Sequence, residues 1–127
     1  MPSEPLPAIC RRTLTCRHVD VFHQGIDLFA PYGAPLVAVH DGWLFKIGRN
    51  TLGGNRLWLD DGRGNLFYYA HLSGYAKGIQ DEMFVRKGTV IGYLGNSGDA
   101  AKTPPHLHLE IHPGGAWAVP PLPFVTA

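Results

Sequence analysis

The stretch Pro104-Pro105-His106-Leu107-His108-Leu109-Glu110-Ile111-His112 constrains the fold of this chain more than any other. Leu107, Leu109 and Ile111 alternate without interruption with His106, His108, Glu110 and His112. A period of two is the signature of a strand with one face in a core. The polar face must then look into a groove or solvent. Histidines at i and i+2 stand about 7 Å apart along a strand, near enough to converge on one ion or one substrate atom.

Such a strand needs partners, and the rest of the chain supplies short strands and turns. Sixteen glycines and eleven prolines among 127 residues signal frequent reversals, and no segment keeps a helical period beyond a turn or two. The expected fold is all-β, a compact antiparallel sheet or sandwich with an open groove. Residues 1–19 read as an N-terminal arm, and residues 20–127 as one domain ending in a proline-rich tail that straps its edge. That length can bury a core without metal or disulfide support.

Within the domain, residues 20–30 form an irregular strand and residues 36–39 a short buried one. Asp41-Gly42 reads as a tight hairpin leading into residues 43–47. Residues 61–65, Asp-Gly-Arg-Gly-Asn, join strands over 56–60 and 66–71. Residues 72–83 read as a loop and 89–94 as a further strand. Gly92-x-x-Gly95-x-x-Gly98 has no helix after it and so reads as a turn, not a phosphate loop.

The net charge of +1, with no Lys/Arg cluster, gives no electrostatic drive toward nucleic acid or anionic membrane. No apolar run is long enough to span a bilayer. The opening Met1-Pro2-Ser3-Glu4-Pro5 lacks the basic-then-apolar order of a signal peptide. Cys10 and Cys16 either close a small disulfide loop in an exported protein or remain free thiols; their spacing matches no common zinc pattern.

Seven histidines are many for this length. His18 and His40 read as exposed residues, and His112, beside Pro113 at a strand end, is assigned no role. His23, His71, His106 and His108 all lie beside turns or loops. His23 and Asp27 form an H-x-x-x-D pair. A helix would put both on one face, but Gly25 and the Pro31-Tyr32-Gly33 turn argue against a helix. A straight strand would hold them about 13 Å apart, too far for two ligands that each approach a metal to about 2 Å. The chain must therefore bend, and Gly25 permits a bulge or kink there. Imidazole, carboxylate and a second imidazole make a three-ligand zinc site with one position open for water. Spacing leaves open whether His106 or His108 completes it. Glu110, on the same face, either orients a ligand or sits in solvent. Asn55 and Asn96 fall on candidate groove loops, with no role assigned.

Together, His23-x-x-x-Asp27, Tyr69-Ala70-His71-Leu72-Ser73 and His106-Leu107-His108 resemble the signature of the lysostaphin/LytM-type zinc metalloendopeptidases, which cut peptidoglycan peptides. Flanking segments agree: His23-Gln24-Gly25-Ile26-Asp27-Leu28 before Ala30-Pro31-Tyr32-Gly33, and Gly92-Tyr93-Leu94-Gly95-Asn96-Ser97-Gly98 before the histidine strand. The similarity runs from about Asp20 to Pro113. It implies a LytM-like fold, one Zn2+ per chain held by His23, Asp27 and His108, and His71 and His106 as the catalytic pair. It also implies a peptidoglycan peptide substrate, a monomer, and a secreted, periplasmic or envelope location. Many members carry an aromatic-Gly-x-Arg segment upstream of the first ligand, and the arm before Val21 shows no clear counterpart.

Two other functions compete. Two histidines and a carboxylate on a β scaffold also describe the facial triad of a non-haem Fe(II) oxygenase, although His71 and His106 would then have no task. A LytM-like domain that binds the wall or a partner without catalysis is the other, although such domains usually lack one or more of the five residues.

Overall fold

In a computed structural model that describes residues 18–22 and 25–114, the alternating segments pair into one antiparallel sheet of nine strands. These are β1 (His18–Phe22), β2 (Gly25–Phe29), β3 (Pro35–Val37), β4 (Gly42–Asn50), β5 (Gly54–Asp60), β6 (Asn65–Tyr75), β7 (Phe84–Val85), β8 (Val90–Leu94) and β9 (His106–Pro113). The main path is β1-β2-β9-β6-β5-β4-β7, with β3 on β8 and β8 on β6. The described residues contain no α-helix, only a single 3-10 turn at Gly98–Ala100. The fold is all-β, as the period-two pattern required.

The histidine stretch becomes β9, between β2 and β6. Its aliphatic face is fully closed: Leu107, Leu109 and Ile111 are each 0% exposed. Leu109 lies across from Ile26 on one side and Tyr69 on the other. Leu107 faces Leu28, and Ile111 faces Phe67. Burial of each such side chain is worth about 1.5–3 kcal/mol. A slip of one residue would put the histidines into the core, so the register is strongly specified.

Strand β6 is shared by two pairings. Residues 65–70 lie against β9, whereas residues 72–75 lie against β8. On its other side, β6 takes three steps from Tyr69 to Leu72 while β5 takes two from Leu57 to Asn55. This one-residue excess is a β-bulge, and His71 within it has φ +68°. The strand thus continues four residues past His71, where the sequence pattern had ended it. Periodicity is lost at the bulge, so the second half of β6 reads as loop. Nearby, the buried Tyr69 hydroxyl donates to the Val37 carbonyl at 2.9 Å and accepts the Val39 N–H at 3.0 Å. Burial pushes that phenol's pKa far above its ordinary value.

Asp41-Gly42 forms no hairpin: β3 pairs with β8, and β4 with β5 and β7. The Asp41 carboxylate instead accepts the Lys87 N–H at 2.7 Å. The Asp61–Gly64 hairpin is present, with Asp61 Oδ1 accepting the N–H groups of Arg63 and Asn65. Strand β1 takes in His18 and Val19, the end of the expected arm. The Cys10/Cys16 alternatives and the proline-rich strap lie outside the described residues.

Leu109→Ala should lower the unfolding free energy by about 2–5 kcal/mol. The expected readout is a lower urea midpoint with an unchanged m-value.

Candidate metal centre and active-site groove

Asp27 on β2 and His108 on β9 are cross-strand partners on the groove side of the sheet. His108 Nδ1 lies 2.8 Å from Asp27 Oδ1. Gly25 leaves room for this ring, since a Cβ there would stand 2.8 Å from His108 Cε1 and 3.1 Å from its Nε2. The far nitrogen, Nε2, donates to Glu110 Oε2 at 2.7 Å. The other Glu110 oxygen lies 2.7 Å from His112 Nε2. Glu110 therefore holds His108 and is not a free surface carboxylate. His112, assigned no role from sequence, is bound into the same network.

His71 and His106 are the buried polar side chains among the described residues, at 7% and 6% exposure. Both need partners in so apolar a setting. His106 Nδ1 donates to the Pro104 carbonyl at 2.9 Å, and its Nε2 lies 3.9 Å from Asp27 Oδ2. Its ring packs 5.1 Å from that of Phe29. His71 Nδ1 donates to the Ser97 carbonyl at 2.7 Å. Because a carbonyl only accepts, both rings carry hydrogen on Nδ1, and in the neutral form Nε2 keeps its lone pair. The His71 and His106 rings are 5.1 Å apart, and those of His71 and His108 6.2 Å.

The bulge aims His71 into the groove, and two loops hold it there. Its N–H donates to the Gly53 carbonyl at 2.7 Å. Ser97 Oγ donates to the Leu72 carbonyl and accepts the Asn55 N–H, while Asn55 Nδ2 donates to the same carbonyl at 3.1 Å. The loops meet backbone to backbone at Gly54 and Gly98, where a Cβ on Gly54 would lie 2.4 Å from Gly98 N. Asn55 is thus a clamp beside His71. Asn55 lies on β5, not on the groove loop expected for it.

The structure brings Asp27, His71, His106 and His108 to one open groove, with Tyr68 and Thr103 also on its walls. His23 lies outside the described residues. The strands β1 and β2 pair antiparallel, with Phe22 opposite Gly25, in place of the one irregular strand expected over residues 20–30, because a continuous apolar pattern does not record a change of direction. His40 is exposed as expected.

Among the described residues no three His, Cys, Asp or Glu side chains form a complete metal cluster. Asp27 and His108 nonetheless suit a zinc ion. A ring nitrogen and a carboxylate oxygen, the donor types zinc takes, face each other here at 2.8 Å. Burial disfavours a charged His108, but hydrogen bonds to Asp27 and Glu110, and their charges, outweigh it and raise the pKa to about 9. Burial pushes Glu110 up, and its two histidine partners pull it below its ordinary value.

In the metal-free chain, the charged His108 ring stabilises the fold fully below its unfolded value of 6.5, and that stabilisation is lost as pH rises through about 9. The Glu110 contribution is present above its ordinary value of 4.5 and fades as pH falls below it. Chelator-treated protein should therefore show its highest urea midpoint on the acid side of neutrality, declining toward about pH 9. His108→Gln should flatten the alkaline decline.

Over residues 21–121 the chain matches Peptidase family M23. It is 38% identical over 113 residues to the L-Ala–D-Glu endopeptidase of Bacillus subtilis, covering 83% of this chain and 35% of that protein. The chain therefore spans about a third of the length of that relative. The catalytic domain of the antimicrobial peptidase lysostaphin from Staphylococcus simulans has the same fold, with TM-score 0.71 and 31% identity over 81% of this chain and 78% of that one. A zinc-containing peptidase from Vibrio cholerae superposes with TM-score 0.71 and 27% identity over 79% of this chain and 29% of that one. With most of its length and its whole groove inside that match, the chain belongs to peptidase family M23.

Proposed function

We propose that this chain is a zinc-dependent endopeptidase domain that hydrolyses peptide bonds in peptidoglycan cross-bridges or stem peptides. The observation that carries the reading is the meeting of Asp27 and His108 with two buried imidazoles, each held through Nδ1 on a backbone carbonyl. Asp27 and His108, with His23 as the third ligand, would hold one Zn2+. When bound there, zinc supplies a Lewis acid and lowers the pKa of its water to about 7. The relative named for an L-Ala–D-Glu bond supports a wall peptide as substrate, because that bond contains a D-residue. Secretion or envelope association and a monomeric state follow from the same reading.

His106 enters the reaction neutral. Its Nδ1–H is fixed on Pro104, so Nε2 takes the proton of the attacking water and later returns it to the leaving amine. His71, fixed on Ser97, donates from Nε2 to the developing oxyanion and so must carry the second proton. The pair works with one ring neutral and the other charged. An iron oxygenase would leave both rings without a task, and membership in a peptidase family weighs against it.

Zinc-loaded protein incubated with purified walls of two cross-link types should release peptide fragments identifiable by mass spectrometry, and a chelator should abolish release. Intact walls with zinc bound would instead favour a non-catalytic wall-binding domain. His106→Ala should retain zinc and lose activity by roughly 100-fold or more, whereas His108→Ala or Asp27→Ala should lose the metal. The pH dependence of kcat/KM should be bell-shaped, because the reaction needs one ring neutral and the other charged. A rate flat between about pH 5 and about pH 9 would exclude this division of labour.

A further inference from the structure

We infer that Glu110 and His112 form a positioning relay behind the metal centre, in which Glu110 fixes the His108 ring and His112 fixes Glu110. The inference rests on the reading of His108 as a zinc ligand. Along β9, residues 108, 110 and 112 share the groove face, and both Glu110 oxygens are used: 2.7 Å to His108 Nε2 and 2.7 Å to His112 Nε2. His112 is itself seated by Trp58, whose ring stands 5.0 Å away at 61°. Trp58 in turn lies 4.7 Å from Tyr68, the residue opposite Glu110 in the register. The relay therefore runs from an aromatic group on β5 and β6 to the candidate ligand.

A ligating imidazole has two ways to fail. It can turn over about its side-chain bond, or it can carry its single hydrogen on the wrong nitrogen. A carboxylate accepting from Nε2–H prevents both, leaving Nδ1 as the lone-pair nitrogen beside Asp27. Gly25 packed against the ring adds a steric stop on one side. His112 occupies the second Glu110 oxygen and so keeps the carboxylate from rotating away from His108. Losing Glu110 should therefore weaken zinc more than losing His112.

Zinc affinity by competition with a chromophoric chelator tests this in the full chain, with thermal unfolding of each metal-free variant as a check on the fold. Glu110→Ala should weaken zinc by about 10–100-fold, and His112→Ala by a smaller factor. Glu110→Gln keeps an acceptor for Nε2–H and should recover most of the affinity, whereas Glu110→Met, which fills similar space without an acceptor, should weaken zinc as Glu110→Ala does; lost packing alone would let both recover. If Glu110→Ala binds zinc as wild type does while His108→Ala does not, the relay is wrong. If His108→Ala also binds normally, the metal reading fails instead. Should Glu110→Ala not fold, histidine-ring 15N NMR of the zinc-loaded wild type decides: a protonated Nε2 on His108 supports the relay, and a protonated Nδ1 overturns it.

Discussion

Everything in the groove depends on how the apolar side of β9 is buried. Leu107, Leu109 and Ile111 have no exposed surface, and their partners come from β2 on one side and β6 on the other. At about 1.5–3 kcal/mol for each side chain, this face outweighs any single polar contact across the groove. The core therefore sets the register, and the register sets the site. The pairing that places Leu109 between Ile26 and Tyr69 also places His108 between Asp27 and Ala70. A small alanine next to the imidazole leaves the floor of the groove open above it.

A flat sheet would not bring His71 to the same point, because its position falls where β6 passes from β9 to β8. The bulge resolves this by giving up one ladder position and a relaxed backbone. A non-glycine residue held in a sparsely populated region costs about 1–3 kcal/mol. Two hydrogen bonds, from the His71 N–H to Gly53 and from Nδ1 to Ser97, return about 0.5–1.5 kcal/mol each. The two sums are of the same size, so the strained conformation is held chiefly by its surroundings. That explains the investment in Asn55, Ser97 and the Gly54–Gly98 contact, none of which touches the reacting atoms.

Sequence reading reached the parts of this design that have a period or a motif. The alternation of β9 and the second hairpin both express local geometry. The failures share a cause. The sequence pattern ends strand β6 at His71 because a bulge erases the period-two signal there. Asp41-Gly42 carries the local chemistry of a hairpin, yet the neighbouring strands find non-local partners, and nothing in a dipeptide records that β3 belongs beside β8. The Glu110–His112 contact follows from ordinary strand spacing, but the two side chains read as pointing into solvent until the position of Trp58 on β5 is known.

The partner of each ring's second nitrogen divides the histidines of the groove into two kinds. His71 and His106 give their Nδ1–H to backbone carbonyls. A carbonyl fixes the tautomer but adds no net charge. His108 gives its Nε2–H to a carboxylate and faces a second carboxylate at Nδ1. Two negative groups around one ring favour a permanent cation on its remaining nitrogen, whether a proton or a metal ion. A carbonyl behind His108 would leave it a weaker donor to an ion. Residues of one type, two positions apart on one strand, can thus take different tasks because one meets Pro104 and the other Glu110.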